Sequence, residues 1–338
     1  QIANPDLQWE KTDQIDVGID FGFLNNRISG EIDFYNKNTS DLLLQVPVPG
    51  TSGFATQLRN IGAVRNRGVE FVVNTNNISG KFTWNTSFNI AYNQNVVTNL
   101  GDQDLIDEGS SRFMNVVKVG EQLGAFYGAE YAGVDPQNGD ALWYKNTEEN
   151  PRETTNDYNE AEFVILGNPT PDWIGGITNT FTYKGIDLGF TFQGVYGNQI
   201  HLTGDAFMAC NGCWFDNQTK EQLNSWKQPG DITNIPQARL GLSNGDQARS
   251  SRYISDGSYL RLRNLSVGYT LPKSVLNKVN IDKVRVYMQG QNLLTFTKYI
   301  GWDPEVSADF AVSNVRSGID FYSAPQPKTI TFGLNVTF

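Results

Sequence analysis

The chain has 338 residues, enough for one large domain or two, with 33 glycines, 12% aromatic residues, 18% charged residues and a formal net charge of −10. That negative balance argues against nucleic acid as a partner, since phosphates need a basic surface, though charge alone does not separate a soluble acidic protein from a barrel. Apolar residues reach only 39%, low for a globular core of this size, and no run of about 18 apolar residues offers a membrane-spanning helix.

The chain opens on Gln1-Ile-Ala-Asn-Pro, with no initiator Met and no signal peptide. It reads as a mature piece or a fragment. Period-2 alternation follows. Ile15, Val17, Ile19, Phe21 and Phe23 alternate with Asp16, Gly18, Asp20 and Gly22, up to a turn at Leu24-Asn25-Asn26. Ile28, Ile32 and Phe34 alternate with Ser29, Glu31, Asp33 and Tyr35. Similar runs recur near 65–76, 81–97, 116–134, 141–145, 172–183, 186–198, 257–271, 283–297 and 327–338. The spacing predicts about eleven strands, each with one apolar and one polar face. The two-residue Lys184-Gly185 is a tight hairpin turn.

Connection lengths decide between a sandwich and a barrel. Short links (24–27, 75–80, 184–185) alternate with long ones (about 47–64, 97–115, 145–170, 198–256, 298–326), the pattern of an outer-membrane barrel with short turns on the periplasmic side. Tyr35, Tyr92, Tyr183, Tyr196 and Tyr269, near strand ends, are candidates for interfacial girdles. The fold expectation is all-β: a transmembrane antiparallel barrel. Bacterial single-chain barrels use even strand numbers. About eleven strands therefore imply the C-terminal half of a larger barrel, whose closing edge, Lys328–Phe338, pairs with a strand outside this chain rather than with 10–23. A soluble multi-sheet β-protein is the bland alternative.

Cys210 and Cys213 stand in Ala-Cys-Asn-Gly-Cys-Trp. A thioredoxin-like CxxC needs a βαβ context, which is lacking, and a zinc site needs a second pair. A local disulfide in an exported loop is favoured over free thiols or a metal.

Further on, the residues become specific. Ser250–Pro272, with Ser-Asp-Gly-Ser-Tyr-Leu-Arg-Leu-Arg-Asn-Leu-Ser-Val-Gly-Tyr within it, resembles a block of the SusC/RagA family of TonB-dependent outer-membrane transporters. Gln289–Glu305, Gly120–Gly128, Gly133–Asp140, Gly167–Asp172 and the terminal Phe338 fit the same family. The interval 144–166 departs from it, since a Gly-Asp-rich stretch common there in relatives is replaced by Asn150-Pro-Arg-Glu-Thr-Thr-Asn-Asp-Tyr. A cation held by that loop in relatives is in doubt. The resemblance implies that 1–338 is the C-terminal part of one barrel domain of 22 strands, in the bacterial outer membrane, with plug and TonB box outside this chain. It implies TonB-driven import of oligosaccharides or oligopeptides, and as partners TonB, the remaining half of the barrel, outer-membrane lipid and a SusD-like surface lipoprotein acting as a lid. Phe338 resembles the aromatic end that the barrel-assembly machinery reads. A non-transporting scaffold or adhesin on the same barrel is the alternative.

Few residues suggest chemistry. His201 is the single histidine, without a nucleophile context, and reads as a solvated loop residue. No catalytic, cofactor or metal site is expected. Phe207, Trp214, Phe215 and Trp226 are candidate substrate or lid contacts, or fold their loop on itself. Asp303-Pro304-Glu305 is a fixed turn or a cation site. Asp16, Asp20, Glu31, Asp33 and Asp187 form a candidate acidic lumenal wall that disfavours anions or pairs with a plug.

Overall fold

The computed structural model describes residues 2–107, 110–276, 281–307 and 315–338. Part of the 298–326 connection thus lies outside the described residues. Nine strands form the main sheet: β1 (Lys11–Phe23), β2 (Ile28–Ser40), β3 (Ala63–Ile78), β4 (Phe82–Asn99), β5 (Trp173–Tyr183), β6 (Ile186–Tyr196), β7 (Tyr259–Thr270), β8 (Lys283–Thr297) and β9 (Thr329–Thr337). Their spatial order is their chain order, an antiparallel meander. Among the described residues β9 pairs only with β8, and β1 only with β2, so the sheet is open.

The count differs from the expected eleven. Residues 116–134 and 141–145 are not wall strands. They hold short strands, Asn115–Lys118, Ala125–Gly128, Tyr131–Val134 and Ala141–Tyr144, in two separate small sheets. The reason is local. Val116 and Val117 are adjacent and both buried, so this segment has no wet face. Four residues also fall short of the roughly 9–11 that cross a bilayer.

The wall strands keep the alternation. Ile15, Val17 and Ile19 on β1, and Ile330, Phe332 and Leu334 on β9, are each more than 60% exposed. On this apolar face rings meet across strands, with Trp84 and Phe181 at 5.7 Å and Phe181 and Phe190 at 6.1 Å. Tyr35 is not part of a girdle there. It lies on the polar face, where its hydroxyl donates to Asn93 across β3 at 2.9 Å. The same face carries a staple over β7. Arg285 on β8 grips Asp187 on β6 with two bonds of 2.9 and 2.5 Å. It passes above Gly268 of β7, where any Cβ would collide with the guanidinium.

Long connections all leave one end of the sheet and fold into a cap, which holds most of the buried apolar side chains. One cluster joins Leu42, Leu44 and Val46 to Val97, Leu100 and Val117, another centres on Trp143, and a third on Ile200, Leu202 and Tyr299. Gln199–Leu202 pairs with Ile254–Asp256 and, in parallel, with Ile319–Asp320. The cap is clamped to the polar face. Arg261 of β7, 1% exposed, donates to Asp303 at 2.5 Å and to Glu305 at 3.0 Å, and Arg263 pairs with Glu305. Burial raises the Asp303 carboxyl, but bonds from Arg261 and from the Glu305 and Gln326 backbone N–H groups outweigh it and hold the carboxyl below its usual range. Asp303 and Glu305 are therefore spent on this clamp.

Removing one partner of a buried pair strands the other. Asp303→Ala in the full-length protein should cost roughly 3 kcal/mol of local stability. Hydrogen exchange should accelerate across 298–307 and 319–326 while β7 and β8 amides stay protected.

Candidate functional site

Two adjoining cavities lie in the cap, of about 420 and 260 Å³. Asp205, Glu221 and Ile300 line both. Tyr131, Arg252 and Tyr253 complete the larger, and Trp302, Asp320 and Tyr322 the smaller. The short helix Asp205–Met208 forms the partition between them.

Arg252 is fixed by carbonyls rather than carboxylates, donating to Gly245 at 2.5 Å and to Ala209 at 2.9 Å. Asp320 accepts from the Tyr299 hydroxyl at 2.5 Å. Burial pushes the Asp205 carboxyl up to about 6, with Asp320 and Glu221 adding to the rise and Arg252 opposing it. The arrangement can bind a polar chain, with carboxylates for hydroxyls or amines, a guanidinium for carbonyls, and the Trp302 and Tyr322 rings for stacking.

The candidate aromatic residues part company here. Phe207 packs at 6.0 Å from Trp214 and 6.2 Å from Phe321, with Arg112 over both the Phe207 and Phe321 rings. Trp214 is half exposed and Phe215 fully exposed. Trp226 is buried, donates to the Pro136 carbonyl at 3.1 Å and lies against Gly139. It anchors the cap and presents nothing to a ligand. The Cys210 and Cys213 sulfurs stand 2.08 Å apart, as a disulfide, just after the helix.

His201 is a correction. It is fully buried, not solvated. Its Nε2 meets the Ala248 carbonyl at 2.9 Å, so that nitrogen carries the proton, and Nδ1 accepts from the Thr203 hydroxyl at 3.1 Å. Both nitrogens are occupied, which removes it as a base. Burial drives its pKa down to about 4 against the bond to Ala248, with Arg249 lowering it further.

The acidic wall divides as well. Asp16, Asp20, Glu31 and Asp33 stand together on the polar face of β1 and β2, with Asp20 opposite Glu31. Glu70 of β3, opposite Asp33, joins them, a neighbour that only the register of β2 with β3 reveals. Asp187 stands apart on β6, neutralised by Arg285. Among the described residues none of Asp20, Glu31, Asp33 and Glu70 makes an ion pair.

A model of the family described as TonB dependent receptor-like, beta-barrel matches residues 1–293. TonB-dependent receptor P3 of Formosa agariphila is 36% identical over 362 residues, covering 100% of this chain and 35% of that protein. TonB-dependent receptor SusC of Bacteroides thetaiotaomicron is 33% identical over 353 residues, covering 99% and 32%. The solved RagAB peptide transporter superposes with a TM-score of 0.87 at 31% identity, over 100% of this chain and 36% of its own. The chain thus spans about a third of the length of these relatives.

Two buried groups give the cap opposite pH slopes. Unfolded His201 takes a proton near pH 6.5, but the folded chain resists until about 4. Its contribution, on the order of 3 kcal/mol, is full above 6.5 and lost as pH falls. Asp205 holds its proton up to about pH 6 when folded, so it penalises the fold as pH rises through 4 to 6, by roughly 1–2 kcal/mol after solvent screening. In thermal melting of the full-length protein, Asp205→Asn should raise the midpoint at pH 7.5 and leave it unchanged at pH 4. His201→Gln should flatten the acid loss between pH 6.5 and 4.

Proposed function

Because the chain belongs to the TonB-dependent receptor-like β-barrel family, as part of a SusC/RagA-type barrel, we propose that it forms wall and outer loops of an active importer in the bacterial outer membrane. The cargo is an oligosaccharide or oligopeptide, and TonB supplies the energy through parts of the protein outside these residues. The observation that carries this reading is the pair of cap cavities, which converge carboxylates, a guanidinium and aromatic rings among the long connections. The likeness to RagAB, a peptide transporter, supports a peptide cargo over the sugar alternative.

A SusD-like lipoprotein seats on the cap. Phe215, Ile232 and Leu240 support this, since each is at least 87% exposed within the 198–256 connection, where Leu223 and Leu242 add further exposed apolar surface. The unpaired carboxylates of β1–β3 meet basic groups of the plug. Sheet edges β1 and β9 pair with the remainder of the barrel, since unpaired strands do not persist in hydrocarbon.

Cells carrying the full-length protein should accumulate a labelled oligopeptide, and collapse of the proton gradient should stop it. Surface binding indifferent to the gradient would instead favour a scaffold or adhesin. Phe215→Ser, Ile232→Ser and Leu240→Ser together should lower the co-purified lipoprotein at least tenfold, each lost anchor being worth about 1 kcal/mol or more.

A further inference from the structure

The apolar face of the sheet is not uniformly knobbed. Gly175 of β5 and Gly194 of β6 lie directly opposite each other. Both occupy apolar-face positions, two residues from Trp173, Ile177, Phe192 and Tyr196 along their strands. Two neighbouring absent side chains open a trough of about 630 Å³. Phe88 and Ile90 of β4 wall one side, and Leu260 of β7 and Phe296 of β8 the other. The trough rises to the long-loop end of the sheet, where its rim turns polar at Asp256, Ser258 and Lys298. Lys298 is exposed and makes no ion pair among the described residues. The acidic rim group, Asp256, is held by the Ser258 backbone N–H at 2.8 Å.

The geometry points to a bound lipid: one acyl chain of a phosphate-bearing outer-leaflet lipid lies in the Gly175–Gly194 trough, with its phosphate on Lys298. The occupant follows from the setting. This face is continuous with the membrane-facing surface of the wall, so hydrocarbon covers it. The single cation sits where strands give way to loops, which is head-group level, and a lysine there attracts anionic lipid by about 1 kcal/mol. The trough has the volume and largely apolar lining of a small-molecule site. This inference rests on the barrel's orientation and is independent of any transport cargo.

The test uses the delipidated full-length barrel, exchanged into detergent with lipid A or with phosphate-free lipid A and weighed by native mass spectrometry. Wild type should retain one lipid A, with about fivefold preference over the phosphate-free form. Gly194→Leu should abolish retention. A Cβ at Gly194 meets only Leu260 Cδ1 at 3.5 Å and the Tyr259 carbonyl at 3.6 Å, so the new side chain enters the trough without moving backbone. Lys298→Glu, at an exposed position that does not bear on folding, should keep the chain bound and remove the phosphate preference. Equal retention by wild type and Gly194→Leu, or equal retention of both lipids by wild type, overturns the proposal. So does a lipid-free dimer that Gly194→Leu converts to monomer, which would make the trough a contact between copies.

Discussion

A strand in hydrocarbon has no water to satisfy its backbone, so each N–H and C=O must find a neighbouring strand. That constraint organises everything else here. It forces a continuous ladder, met by nine strands in chain order. It excludes crossovers from the wall and sends every long connection out of one end. It also fixes the side-chain code, since a strand with lipid on one side and a wet lumen on the other must alternate. Ile15–Phe23 and Ile330–Phe338 obey that code residue by residue.

A second consequence concerns where the molecule is packed. The wall contributes little buried apolar surface of its own. The cap is packed like a small globular protein, with Leu44, Leu100, Phe126, Trp143 and Ile200 nearly inaccessible. Lipid and lumen partners do for the wall what an interior does for a soluble sheet. The joint between the two regimes is polar: Arg261 and Arg263 hold Asp303 and Glu305. A charged joint suits a place where one side is wet and the other must not slide, because the planar guanidinium fork of Arg261, split between Asp303 and Glu305, is directional.

What is legible in the sequence follows the same division. Wall strands are readable because one period governs them over about ten residues, and Lys184-Gly185 because both residues sit at positive φ, 50° and 87°, as a two-residue hairpin demands. The cap strands pass for wall in the sequence because four residues are too few for a period to mark their ends, although Val116 and Val117, adjacent and both buried, break the alternation outright. His201 passes for a solvated residue because its burial depends on Ala248, Thr203 and a strand more than a hundred residues later. The clamp leaves a trace. Arg261 and Arg263 are two apart, as are Asp303 and Glu305, and two matched pairs at strand spacing suit one another across a face. Asp205 leaves none, since its surroundings are assembled by three separate connections.

The parallel pairing of Gln199–Leu202 with Ile319–Asp320 reaches beyond packing. It welds the 198–256 and 298–326 connections into one body, reinforced by the Ile300 N–H bonding the Ser255 hydroxyl at 3.3 Å. Loops of a barrel are usually treated as interchangeable modules, each free to diversify alone. These two are not separable, and a chimera that grafts one of them from a relative would carry an orphaned strand edge into the cap. The two segments therefore form a single cassette, to be exchanged together or not at all.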